Sequence, residues 1–236
     1  MLPLEPRVPT NLNPFARELL EMLRGQPAAR HIILGGGVAL SHYHEYRETG
    51  NVSAWWVKPI DETGRMETSD LMRERMRELA ARHGLDFTER SWDVTRSYEL
   101  RRGSKKIFSF QISYRDVQLD PPADAHWPPL HIETFRENLA AKMRALVHRG
   151  APRDFTDVAA VCGAGIVTPE ECWELWLAKT PDGKISEAKM AVLRLLEQIA
   201  VRRPVGDIPN GEQRRRAVEV RRFIRDEFCA NAAEQP

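Results

Sequence analysis

The chain has 236 residues and a formal net charge of +1, with 42% hydrophobic and 29% charged residues. This composition is ordinary for a globular protein of one large or two small domains, and near-neutrality gives no global argument for nucleic-acid binding. No apolar stretch approaches the roughly 20 residues that span a bilayer, and the first residues lack the pattern of a secretion signal. We therefore expect a cytoplasmic protein with no membrane partner.

Apolar periodicity and turn residues divide the first half of the chain into helices and strands. The predicted helices run from Pro14 to Gly25 and over residues 38–46 and 67–83. The predicted strands alternate apolar and polar residues, or are short and apolar, and they span residues 32–34, 51–57, 86–100 and 105–115. The last two flank a short turn at residues 102–104 and predict an antiparallel hairpin.

The second half of the chain is helical in pattern. After a proline-rich loop, the predicted helices span residues 133–149, 154–162, 169–179, 186–202 and 212–229. The predicted fold class is therefore α+β, with a mixed sheet followed by a helical bundle. The predicted domains are an extended arm (1–12), a sheet domain (13–120) and a helical domain (130–232).

A glycine run, Gly35 to Gly37, separates the first strand from the second helix. Backbone N–H groups at such a turn can cradle a phosphate, although a tight turn without a ligand is the commoner role. The segments around it read GGGVAL, YRETG and NVSAWW, and a later block reads ENLAAKMRALVHRGAPRDFTDV. In this order and spacing, the two blocks resemble the AbiEii/AbiGii-like nucleotidyltransferase toxins over roughly residues 30–162.

This resemblance implies a nucleotidyltransferase fold of the polymerase-β type, used by toxins of toxin–antitoxin and phage-defence systems. It further implies Mg²⁺ and a nucleoside triphosphate as cofactors and an antitoxin as partner. In the family, two aspartates at i and i+2 of one strand hold the metal, because alternate side chains of a strand share a face. Here those two positions are Asn51 and Ser53.

The other motif positions of the first block carry over with one exception. Gly36 and Gly37 match the glycine turn, and Arg47 and Thr49 match the residues before the metal strand, so the resemblance assigns these four to nucleotide binding. The hydroxyl residue that usually follows the glycines is replaced by Val38. A valine side chain cannot donate a hydrogen bond to a phosphate oxygen.

The second block supplies the candidate catalytic residues Lys142, Asp154 and Asp157. Each also has a structural interpretation. Lys142 lies beside an apolar stripe that a lysine stem would cover, and Asp154 with Arg153 would form an ion pair at a helix start, where the helix dipole also favours Asp157.

Other polar and aromatic positions receive weaker assignments. Gln111 stands on the hairpin where many nucleotidyltransferases carry a third carboxylate, and Trp55 and Trp56 are expected in the core and rim of the sheet. The three cysteines show no metal-ligand spacing. The Arg-rich C-terminal helix is either a solvated face or an RNA contact. Its arginines, with one upstream residue, are Arg203, Arg214, Arg215, Arg216, Arg221, Arg222 and Arg225.

Three functional hypotheses follow. The first is a catalytically impaired member of the family, because Asn51 and Ser53 lack the negative charge of aspartates. The second is an active nucleotidyltransferase toxin that transfers a nucleotide to RNA or protein with Lys142 and Asp157, and that holds a single metal with Asp157, Asp154 or another acid such as Asp61. The third is a non-catalytic module that binds RNA or protein.

Overall fold

The computed structural model describes residues 4–92, 94–115 and 117–230. The chain forms two compact units, the first ending at Asn138 and the second beginning at Leu139. The α+β class with a mixed sheet and a helical C-terminal part is confirmed. The predicted domain limits stay a prediction, and residues 1–3 of the arm and 231–232 of the helical domain lie outside the described residues.

The first unit is built on a seven-stranded sheet with the order β3-β4-β5-β2-β1-β7-β6. Strand β2 lies at its centre, antiparallel to β1 and parallel to β5, and β1 pairs in parallel with β7. The strands are β1 (Ile32–Gly35), β2 (Val52–Trp56), β3 (Asp86–Trp92), β4 (Thr95–Arg102), β5 (Lys105–Ser113), β6 (Ala123–Asp124) and β7 (His131–Ile132).

One face of this sheet carries the hydrophobic core. Strand β2 alternates strictly, so that Val52, Ala54 and Trp56 are buried while Ser53 and Trp55 are half-buried on the opposite face. Helices α1 (Pro14–Leu23) and α3 (Glu62–Arg82) contribute their apolar residues to the same core cluster. The predicted core and rim positions of Trp56 and Trp55 are thereby confirmed.

Two predicted elements of the first unit are wrong. The single strand expected over 86–100 is two antiparallel strands, β3 and β4, with Trp92 paired to Thr95. The second helix, α2 (Gly36–Ser41), begins within the glycine run and ends before His42. The Ser41 hydroxyl and the His42 ring both hydrogen-bond to the Val38 carbonyl, and this competition accompanies the end of the helix.

The start of α3 also differs from the prediction. The helix begins at Glu62 and not at residue 67, because the Asp61 carboxylate caps it by accepting a hydrogen bond from the Gly64 N–H at 2.7 Å. The predicted hairpin at residues 102–104 is confirmed by the antiparallel pairing of β4 with β5.

The helices of the C-terminal half lie within a few residues of their predicted bounds. They are α4 (Phe135–His148), α5 (Pro152–Gly163), α6 (Pro169–Lys179), α7 (Ile185–Arg202) and α8 (Gly211–Phe223), the last followed by a π-helical turn (Ile224–Phe228). Among the described residues, no helix is both long and apolar enough to cross a membrane.

Two adjacent residues of β5 allow a test of the core. Phe110 is fully buried, and Gln111 beside it is exposed on the opposite face. Phe110→Ala should lower the free energy of unfolding by about 3–5 kcal/mol, because it removes a buried ring and leaves a cavity. Urea denaturation would measure this, with Gln111→Ala as the control, expected within about 0.5 kcal/mol of the parent. Equal effects of the two substitutions would contradict the assigned faces of β5.

Candidate functional site

The two positions that the family resemblance assigns to metal ligands lie on the polar face of the sheet. Ser53 is in β2, flanked in register by Gly35 of β1 and Gln111 of β5, and Asn51 immediately precedes the strand. The Ser109 hydroxyl donates a hydrogen bond of 2.9 Å to the Asn51 side-chain oxygen. The expected i, i+2 geometry is therefore present, with an amide and a hydroxyl in place of two carboxylates.

These side chains do not fit Mg²⁺. The ion prefers carboxylate oxygens, and the Asn51 oxygen already accepts the Ser109 hydrogen bond. No group of three or more histidine, cysteine or acidic side chains that could hold a metal occurs among the described residues. The metal-binding assignment of Asn51 and Ser53 therefore has no support in the donor set.

A carboxylate that the sequence did not single out lies farther along the same face. Glu99 of β4 is register partner to Ser109 of β5, so β5 separates it from Asn51 by two strand spacings, about 9.5 Å. Glu99 is buried and forms an ion pair of 2.7 Å with Arg101. Because side chains alternate along a strand, the residues next to Glu99, Tyr98 and Leu100, place it on the face opposite theirs, but this pattern gives no sign of the Arg101 contact.

The glycine turn packs against the predicted nucleotide-binding residues. Gly36 has a φ of +61°, and a Cβ atom there would lie 3.0 Å from the Ser53 Cβ. At Gly37 it would lie 2.9 Å from the Thr49 Cγ2 and 3.3 Å from an Arg47 guanidinium nitrogen. The structure thus brings all four predicted residues together beside Ser53.

Thr49 and Arg47 differ in how their polar atoms are used. The Arg47 guanidinium donates to the Tyr46 hydroxyl at 2.8 Å and to the Glu48 carbonyl at 3.1 Å. Thr49 is buried, and its hydroxyl has no hydrogen-bond partner among the described residues. Because an unpaired buried hydroxyl costs free energy, the Thr49 hydroxyl is the one atom of this group that a phosphate oxygen would satisfy.

A buried polar network, which the sequence did not predict, is hydrogen-bonded to the backbone of the glycine turn. The Asn138 side-chain amide donates to the Gly36 carbonyl at 3.1 Å and to the Glu133 carboxylate at 2.5 Å. Arg115 pairs with Glu133 and Glu137 and stacks over the Trp55 ring at 4.1 Å from its centroid. The network ties the first turn of α4 to the backbone of the glycine turn.

Within the second unit, the candidate catalytic residues form one buried ion pair and one pair whose arginine is half exposed. The Lys142 ammonium group binds the Asp157 carboxylate, and both side chains are less than a tenth exposed. The Asp154 carboxylate accepts two hydrogen bonds from the Arg149 guanidinium, at 2.9 and 3.0 Å, and a third from the Ala151 N–H. The hydrogen bond to Asp154 raises the pKa of Arg149 above its usual range.

The partner expected for Asp154 was wrong. Arg153 was predicted to pair with it, but Arg153 is exposed and Arg149, at the end of α4, forms the two-pronged contact. A guanidinium group satisfies both oxygens of one carboxylate when it approaches in the carboxylate plane. Arg149 makes this two-pronged contact, and the sequence did not identify it as the partner of Asp154.

Taken together, the mixed sheet, the glycine turn against its central strands and the buried Lys142–Asp157 pair define a nucleotidyltransferase-like protein. A family model described as nucleotidyl transferase AbiEii toxin, type IV toxin–antitoxin system, matches residues 18–205. The chain belongs to this family. None of the curated proteins compared with the chain matched it.

The Lys142–Asp157 pair can be tested by a double-mutant cycle. Lys142→Met should lower the free energy of unfolding by about 3–5 kcal/mol, because it leaves a carboxylate buried without its cation. Lys142→Met combined with Asp157→Leu should recover most of this loss. Urea denaturation of the four proteins gives the coupling.

The matched control is Lys184→Met, which breaks an exposed pair with Glu187. It should leave the urea midpoint unchanged. A Lys142→Met protein as stable as the parent would show that the buried pair is not a structural requirement.

Proposed function

We propose that this protein is a member of the AbiEii toxin family that has lost metal-dependent nucleotidyl transfer at its central strand. The observation that carries the proposal is the hydrogen bond from Ser109 to the Asn51 side-chain oxygen, at the position where the family has a metal aspartate. The second position, Ser53, bears no charge either. The pair therefore lacks the negative charge that holds a divalent cation beside nucleotide phosphates.

The state of the surrounding residues supports this proposal. The Thr49 and Arg47 side chains pack close to Gly37, 2.9 Å and 3.3 Å from where a Cβ atom would lie, so they border the space that a phosphate would enter. Two acids near this face already have cationic partners: Glu99 pairs with Arg101, and Glu133, whose carboxylate lies beside Gly35, pairs with Arg115. Nucleotide binding, if retained, would use the unpaired Thr49 hydroxyl after Arg47 moves away from Gly37.

A second candidate function is transfer by Lys142 and Asp157, with Asp154 nearby in sequence. It is favoured by one observation: both side chains of the family's later signature are present and paired in the second unit. A lysine ammonium can neutralise phosphate charge, and a carboxylate can accept a proton from a nucleophile. In this function the pair must separate to act on a substrate.

Partners and location follow from the family at a coarser level. A type IV toxin–antitoxin family implies an antitoxin partner. A role in phage defence, a cytoplasmic location and RNA contact through the arginines of α8 remain proposals. The last is supported only by the exposure of residues such as Arg215 and Arg222.

The decisive assay incubates the purified protein with each labelled nucleoside triphosphate, Mg²⁺ or Mn²⁺, and cellular RNA or protein. We expect no label in either acceptor, because no described carboxylate pair lies at the central strand to hold the metal. Transfer that disappears in Asp157→Asn, with that variant still folded, would overturn the impaired assignment in favour of the second function.

Restoring the charges gives a complementary test. The double variant Asn51→Asp with Ser53→Asp should gain Mn²⁺ binding, measured by electron paramagnetic resonance, because two carboxylates then share one strand face. Ser104→Asp with Asn210→Asp adds the same charge at exposed positions and should gain none. A soluble, folded Asn51/Ser53 variant that binds no metal would contradict the assignment of these positions.

A further inference from the structure

An open groove of about 340 Å³ lies within the second unit. It is bounded by helices α5, α7 and α8 and by Ile208, the residue that follows the 3₁₀ turn Val205–Asp207. Its apolar lining comes from all four segments: Pro152, Phe155, Leu196, Ile199, Ile208 and Val220. Grooves of this volume and lining are typical binding sites.

Helix α8 leaves this groove only partly covered. Gln213, Arg216, Ala217, Val220 and Arg221 line the groove and follow the i, i+3, i+4, i+7, i+8 spacing of one helix face. Yet no residue of the 13-residue helix is buried. An amphipathic helix whose apolar positions remain accessible beside an open apolar groove marks an interaction surface.

The positive charge around the groove favours an acidic binding partner. Helix α8 contains five arginines and two glutamates, and Arg203 lines the groove from the end of α7. A second copy that docked through the same helix would bring like charges together, which costs free energy. Carboxylates, in contrast, form charge-assisted hydrogen bonds with guanidinium groups.

The lining favours a protein segment over RNA. Single-stranded RNA gains much of its affinity by stacking bases on exposed aromatic rings. Among the described residues that line the groove, Phe155 is the single aromatic one and is only 2% exposed, and the rest of the apolar wall is aliphatic. Leucine-type side chains at helical spacing match such a wall, as in other helix-in-groove contacts.

We propose that this groove binds an acidic amphipathic helix of a protein partner. Apolar side chains at i, i+3 or i+4, and i+7 of that helix occupy the space between α8, α5 and α7. Its flanking carboxylates face Arg203, Arg216 and Arg221. This surface includes no residue of the sheet or of the Lys142–Asp157 pair, so it is separate from the proposed loss of nucleotidyl transfer, but it shares its arginines with the proposed RNA contact of α8.

The test uses a synthetic fluorescein-labelled peptide of about 14 residues, roughly four helical turns, with leucines on one face and glutamates on its flanks. Fluorescence anisotropy with the full chain should show saturable binding. A peptide of the same composition in scrambled order should bind at least about tenfold more weakly, because it cannot present one apolar face.

Two pairs of variants locate the binding. Ala217→Glu places a carboxylate in the groove and should weaken binding at least about tenfold, while Val218→Glu, on the adjacent exposed residue, should not. Arg216→Glu with Arg221→Glu should abolish binding, while Arg215→Glu with Arg222→Glu, the same charge change outside the groove, should weaken it only slightly.

Three outcomes would overturn the proposal. Equal losses in groove and control variants would indicate general charge attraction to α8. Tight binding of an RNA oligonucleotide, lost in Ala217→Glu while the peptide fails to bind, would assign the groove to RNA. A dimer in solution that Ala217→Glu dissociates, without peptide binding by the monomer, would assign it to a second copy.

Discussion

The register of β2 between β1 and β5 is the constraint on which the candidate site depends. Because Ser53 is paired with Gly35 on one side and Gln111 on the other, its side chain must face away from the core. The same register places Gly36 beside Ser53. A Cβ atom at position 36 would lie 3.0 Å from the Ser53 Cβ. A slip of one residue would bury the polar positions and expose Trp56.

In each unit, polar or charged side chains of the candidate residues are paired with other side chains of the protein. In the first unit, the Asn51 oxygen accepts a hydrogen bond from the protein itself, where the family binds a cation. In the second unit, Lys142 and Asp157 neutralise each other in a buried environment. Buried charges need such partners to remain in the fold.

Local patterns predicted the elements that local interactions control. The bounds of α6 at Pro169–Lys179 agree with the prediction because a Thr168 capping box and an N-terminal proline mark its start in the sequence itself. The strand expected over 86–100 failed because both of its halves alternate alike, and no glycine or proline marks the turn before Thr95. The early end of α2 depended on hydrogen bonds to the Val38 carbonyl that periodicity cannot show.

The sequence by itself determined the family and the α+β class, because residue identity and spacing are local properties of the chain. Only the tertiary structure decided which partners neutralise the remaining charges. Arg149 rather than Arg153 binds Asp154, and the Ser109 hydroxyl donates a hydrogen bond to the Asn51 side-chain oxygen. The open groove beside α8 was likewise unpredictable. Each of these depends on residues that are brought together by folding, whose distances no sequence pattern encodes.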